Sequence, residues 1–180
     1  MQDYREYAEK NGVILNSEGR CQCCGSKTTR GIHECIDIFN LGFESIDYTK
    51  PENHAFRFMS VDAHALQHPE IHGRWSNHFH LTRQQLMLEL DVSWHYGLSP
   101  KLSSYLNRYK LSRPEERLIA PPPLQRGKMT VTDVLDAAND ASTCKESILL
   151  WSRAVYDEWQ KSHKTVALIA EGFCSANQLF

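Results

Sequence analysis

The sequence predicts an all-α fold, a helical bundle of about five to seven helices with a small cysteine knuckle near its N-terminus. Three observations predict it. Apolar residues recur at steps of three and four in one segment after another, and no stretch alternates as a paired strand would. Four of the six cysteines crowd into "CQCCGSKTTRGIHEC", Cys21 to Cys35. The bulk numbers are those of an ordinary globular chain: 180 residues, 41% hydrophobic and 23% charged. That length fits a single domain over residues 1–180 with a core that does not depend on disulfides.

Each element follows from its own residues. Gln2 to Lys10 is a short polar helix stopped by Asn11-Gly12. The knuckle covers residues 17–35. From Cys35 to Ile46, Ile36, Phe39, Phe43 and Ile46 sit at helical spacing. Pro51 separates this from a helix over His54 to His68, and Pro69 ends it because a residue before proline avoids the α region. Ser76 or Asn77 is placed to cap a helix running to Leu90, and Leu98 to Tyr109 is a further short one. These central helices occupy residues 36–110. "LSRPEERLIAPPPLQRGK" then carries four of the seven prolines and reads as an extended strap over residues 111–129. Thr130 and Asp133 in "TVTD" resemble a capping box for a helix to about Ala138. Ser142 to Gly172 is one long helical pattern, with Trp151, Val155, Trp159, His163 and Val166 on a common seam.

Composition excludes some functions. The formal charge is −2 and no Lys/Arg run or basic stripe exists, so nucleic-acid binding has no electrostatic footprint. "MQDYREYAEKNG" lacks the apolar stretch of a signal peptide, and runs such as "ILLW" are far too short to span a membrane. A cytoplasmic location is expected, where cysteines serve as thiols or metal ligands rather than disulfides.

Cys21-x-x-Cys24-Gly25 is a zinc-knuckle half-site, and a tetrahedral ion needs two more ligands. Cys35 and His33 are the nearest in sequence, which leaves Cys23 as the spare thiol. A site closed by three cysteines and a histidine has no open position and is structural. Six of the nine histidines lie between His54 and His80. His64 and His68 are i,i+4 neighbours on a helix. Asp62 falls on the core side, where a carboxylate needs a partner. His80 opens the next helix and His163 sits on the last seam. His68, His80 and His163 thus offer one histidine from each of three helices to a single interior point, either as a second metal site or as a metal-free His–Asp network. His72, His78 and His95 are expected at the surface, and Trp151 and Trp159 in the core.

These motifs carry a resemblance. "CQCCG", Cys35, "VDAHALQHP", His80-Leu81 and "VYDEWQKSHKTV" resemble an uncharacterised bacterial domain family with a CxxCG head and a VDAYALQHP-like centre, over about Cys21 to Gly172. The resemblance implies that Cys21, Cys24, Cys35, His54, Asp62, His68, His80 and His163 are the shared positions. His64 departs from it, since tyrosine is usual there, and His33 has no firm counterpart. The resemblance therefore also leaves room for a fourth ligand from the histidine belt, which would merge the two sites.

Together these features point to a metal-binding helical protein with zinc at the knuckle. The expected activity is hydrolase- or isomerase-like action on a small molecule, with His68, His80 and His163 as ligands or acid–base groups and Asp62 as an orienting acceptor. The rival is a zinc-stabilised adaptor whose His–Asp network is structural. An enzyme should present a concave pocket with one of these histidines open to it, and an adaptor should satisfy every ring nitrogen and display a flat apolar face.

Overall fold

The computed structural model describes residues 4–43, 45–109, 111 and 116–179. Among these residues the chain forms eight helices and no strand, with a single isolated bridge between Gly19 and Arg30. The helices are α1 (Tyr4–Lys10), α2 (Gly31–Leu41), α3 (His54–Gln67), α4 (Arg74–Leu88), α5 (Leu98–Arg108), α6 (Val131–Ala137), α7 (Ala141–Glu158) and α8 (Gln160–Asn177). Short 3-10 turns at Pro51–Asn53 and Pro69–Ile71 lead into and out of α3.

The central packing unit is α3, which lies against both α4 and α7, while α4 in turn packs on α8. The reason is visible in α3 itself. Phe58, Met59, Ala63 and Leu66 point inward, and so do the polar Asp62, Gln67 and His68, each fully buried. A helix that is buried nearly all round must find partners for its polar side chains. Gln67 shows how this is done. Its amide donates to the carbonyls of Arg126 and Met129 at 3.0 and 2.8 Å, and its carbonyl accepts from Trp151 Nε1 at 3.1 Å. One side chain thus ties α3 to the strap and to α7.

Residues 116–129 run over the knuckle and over the end of α3. Leu124 N donates to Cys23 O at 2.9 Å. Arg126 is buried at 2% exposure and forms a two-pronged pair with Glu70, with further bonds from its guanidinium to the carbonyls of Pro121 and Gln67. Ser26 Oγ meets Thr132 Oγ1 at 3.1 Å, so the first turn of α6 closes against the knuckle as well. Residues 110 and 112–115 of the predicted central helices and strap lie outside the described residues.

Several boundaries differ from those predicted, each for a local reason. Residues 2 and 3 of the first predicted helix lie outside the described residues. The helix expected from Cys35 begins earlier, at Gly31, and stops at Leu41, so Phe43 and Ile46 are buried from the turns that follow it. Its start is set by Gly31 at φ +59° and by Glu34, whose carboxylate accepts from the backbone N–H groups of Thr29 and Arg30 at 2.6 and 2.8 Å. α4 starts at Arg74, after Gly73, rather than at a Ser76 or Asn77 cap. The long C-terminal pattern is two helices. Trp159 sits between them at φ −84° and ψ 16°, with its N–H on Tyr156 O. The capping box of α6 forms as read, with Thr130 and Asp133 exchanging hydrogen bonds.

Candidate metal centre and the adjoining cavity

The knuckle is a tight loop closed at its base. Gly31 N donates to Gly19 O at 2.9 Å and Gly19 N to Thr29 O at 2.8 Å. Inside it, Gly25 takes φ +81° and donates to Cys21 O at 2.8 Å, the turn that sets Cys21 and Cys24 side by side. Asn16 fixes the loop from outside. Its Nδ2 donates to the carbonyls of Glu18 and Arg20, and its Oδ1 accepts from Ile32 N at 3.2 Å, which serves the first turn of α2. Cys35, one turn further on, then faces Cys24, sulfur to sulfur, at 3.7 Å.

The fourth member of the group is His68. It leaves α3 at φ −127° and ψ 46°, the departure that Pro69 imposes on the residue before it. Its Nδ1–H donates back to His64 O at 2.6 Å, which turns Nε2 toward the sulfurs. Nε2 lies 3.3 Å from Cys21 Sγ and 3.5 Å from Cys35 Sγ. The ligand atoms of Cys21, Cys24, Cys35 and His68 all fall within 4.8 Å of one another, and all four residues are buried. A tetrahedral zinc site has sulfur–sulfur edges of about 3.8 Å and sulfur–nitrogen edges of about 3.6 Å, from its usual bond lengths. The Cys24–Cys35, Cys21–His68 and Cys35–His68 separations lie near these edges, and the three-sulfur, one-nitrogen donor set suits such an ion. Hydrogen bonds from Cys23, Cys24 and Cys35 push the Cys21 thiol below its ordinary range. The same bonds, together with burial, push Cys23 and Cys24 up.

His33 is not in this group. Residues two apart do not share a helix face, so with Cys35 turned inward His33 points elsewhere. Its Nδ1 pairs with the Tyr4 hydroxyl at 2.7 Å. Cys23, the spare thiol, is buried beside the site. His64 sits behind the ligands. Its Nε2 is 3.8 Å from Cys35 Sγ, and its ring stacks on Phe39 at 4.2 Å and 17°.

The histidine belt does not converge on one point. Among the described residues no second group of metal-ligating side chains comes together. His68 belongs to the cysteine cluster. His80 pairs with Asp62, Nδ1 to Oδ1 at 2.6 Å. His163 lies flat on Tyr156, 4.1 Å between ring centres, with Nε2 bonded to Tyr156 O at 2.9 Å. The break at Trp159 restarts the helix and directs His163 back along α7 instead of inward. His78, expected at the surface, is buried between two carbonyls, Arg74 O at 2.8 Å from Nδ1 and Glu116 O at 2.7 Å from Nε2. His54 meets Tyr96 edge-on and takes no part in either site.

Asp62 is held more firmly than the sequence suggested. Arg83, one turn past His80 on α4, grips both carboxylate oxygens, with Nε 2.9 Å from Oδ2 and 3.1 Å from Oδ1. The guanidinium is itself enclosed by aromatic faces, 4.6 Å from the ring centre of Phe58 and 4.9 Å from that of Phe79. The result is a neutral buried ion pair whose spare lone pair orients His80. With Nδ1 committed to Asp62, Nε2 is the nitrogen left to act outward.

The His80 ring lines a cavity of about 680 Å³ that lies between α1, α2, α3 and the start of α4. Tyr4, Tyr7, Ile36, Phe39, Val61 and Ile71 form much of its wall, and His64 and His72 complete it beside His80. His72 was expected in solvent. Instead it is half-buried in this wall, and burial, reinforced by His80 and His68, pushes its pKa down to about 3, so the ring is uncharged.

Sequence reasoning missed Arg83, Arg126 and Asn16. Arg83 left a faint signal, three residues after His80 on the same helix. Arg126 left almost none, as a lone arginine in a segment that reads as linker.

The model of a family of unknown function, DUF5946, matches residues 19–160. No curated protein and no solved structure matches the chain.

Proposed function

We propose, for a chain that belongs to this family of unknown function, that it is a zinc-stabilised helical enzyme performing proton transfer on a small molecule. The observation that carries the reading is His80, whose Nδ1 is fixed by Asp62 at 2.6 Å while its ring lines a cavity of about 680 Å³. An imidazole oriented by a carboxylate and facing a cavity is the arrangement a general base needs. Burying every ring nitrogen, as an adaptor would, is not what this histidine does.

The zinc ion and the chemistry are separate. Cys21, Cys24, Cys35 and His68 would fill the coordination of Zn²⁺ and leave no position for water, so the ion holds the knuckle to α3 and takes no part in the reaction. Asp62 orients His80, and Arg83 keeps Asp62 in place. His163 has no role in this chemistry. Proton abstraction beside a carbonyl, the isomerase-like half of the expectation, uses this base directly on the substrate, and the closed ion gives no metal-bound water for the hydrolytic half.

The test is deuterium uptake from heavy water into 2-tetralone, an uncharged ketone with exchangeable α-protons. Wild type should accelerate uptake over buffer, and His80→Gln should lose about 10²–10⁴ of that acceleration. Equal uptake with the variant, or none above buffer with wild type, sinks the proposal.

A further inference from the structure

The cavity beside His80 has a composition that the acid–base reading does not use. Among the described residues its wall contains no lysine, arginine, aspartate or glutamate. Of the charged groups around it, Asp62 is neutralised by Arg83, and Arg5 and Arg57 lie over the rings of Tyr4 and of Phe39 and Tyr48 rather than in the wall. The polar atoms that remain come from imidazole, hydroxyl and amide groups: His72, His80, Tyr7, Ser76 and Asn40. Tyr4 is already engaged by His33, and His64 by Cys35. The rest of the side chains in the wall are aliphatic or aromatic.

A charged ligand placed here would exchange its hydration for apolar wall with no counter-charge to meet it, which burial strongly disfavours. An uncharged ligand loses little and gains the apolar contact. The flat faces of Phe39 and the tyrosines suit a ring. His80, fixed through Nδ1, offers Nε2 to one hydrogen-bonding group. From this we infer that the cavity takes an uncharged, ring-bearing small molecule with a single hydroxyl or carbonyl directed at His80. The inference rests on the acid–base reading of His80 and names the ligand class that reading leaves open. It also excludes phosphorylated compounds, carboxylic acids, amino acids and nucleotides as occupants.

Three probes of one shape test it on the purified protein with its metal: 2-naphthol, 2-naphthoate and 2-naphthylmethylammonium, compared by calorimetry and ligand-detected NMR near neutral pH. 2-Naphthol should bind at least tenfold tighter than either ion. Ile36→Trp, which fills the cavity from α2, should weaken 2-naphthol at least tenfold. Ser76→Phe does the same from α4 and serves if the first variant does not fold. Equal or tighter binding of the naphthoate or the ammonium compound overturns the inference. So does absence of 2-naphthol binding, or binding that a folded filled variant leaves unchanged. The parent reading fails separately. If 2-naphthol is preferred but deuterium uptake ignores His80→Gln, the ligand class stands and the base assignment falls. If uptake depends on His80 but naphthoate binds best, the reverse holds.

Discussion

At the scale of residues, the site is decided by which side of a helix a group leaves from. Cys21 and Cys24 were legible because a CxxCG turn points both sulfurs one way whatever surrounds it, and Cys35 because it returns at the start of the next helix. His68 was singled out for the interior histidine site rather than for the knuckle, and Pro69, which forces it out of α3, is what brings it to the sulfurs. His33 had the right spacing in sequence and the wrong face in space. Metal content separates the two. Cys24→Ser and His68→Ala should each lose the bound equivalent, and His33→Ala should keep it, by elemental mass spectrometry; retention in His68→Ala would remove that residue from the site. Asp62 was read as a buried carboxylate in need of a partner, and the partner proved to be double. Because Arg83 is buried at 3% exposure, Asp62→Ala strands its guanidinium among aromatic rings. The expected loss is about 3–5 kcal/mol, measured by urea unfolding, since breaking a buried pair from one side leaves an uncompensated charge.

At the scale of elements, three helix starts are fixed by side chains. Thr130 with Asp133 and Asp140 with Thr143 both cap by side chain, and Glu34 serves the same purpose for α2. The break at Trp159 was not legible because the apolar ladder runs through it without a glycine or proline to mark it. The caps have a consequence in acid. Hydrogen bonds from Thr143 hold Asp140 below its usual range, those from Thr29 and Arg30 do so for Glu34, and for Asp133 the Thr130 and Lys27 contacts outweigh its partial burial. A carboxylate with a depressed folded pKa stabilises the fold above its unfolded value and loses that contribution as pH falls through the folded one. Urea midpoints should therefore decline below about pH 4, and Asp140→Asn should lower the neutral midpoint while flattening that decline. An unchanged acid slope would remove the cap from the account. Gly31 is a sharper case. At φ +59° an added Cβ would lie 2.3 Å from Asn16 O. Gly31→Ala should displace the start of α2, cost more than about 1 kcal/mol in thermal unfolding, and weaken metal binding through Cys35.

At the scale of the molecule, the sequence conveyed the helical class and the cysteine cluster near the N-terminus, because each rests on local chemistry. It did not convey that the histidine belt would divide between a metal centre and a cavity, because that division depends on how α3, α4 and α8 are rotated against one another. No helix among the described residues is long and apolar enough to cross a membrane. The knuckle, α3 and the strap meet at the cluster, so removing the ion should be felt throughout. Structural zinc contributes on the order of 10 kcal/mol where it organises a small fold. A chelator should lower the denaturation midpoint sharply, and added Zn²⁺ should restore it. An indifferent midpoint would leave the cluster as a group of thiols. The position of the four ligands along the chain has a further effect. Cys21, Cys24, Cys35 and His68 all lie between residues 21 and 68, whereas Leu124, which bonds Cys23, and Trp151, which bonds Gln67, come more than fifty residues later. A chain emerging from the ribosome can complete its metal site while the half that covers it is still unmade. An ion held by these four ligands would be captured early in synthesis, and the later helices would fold onto it.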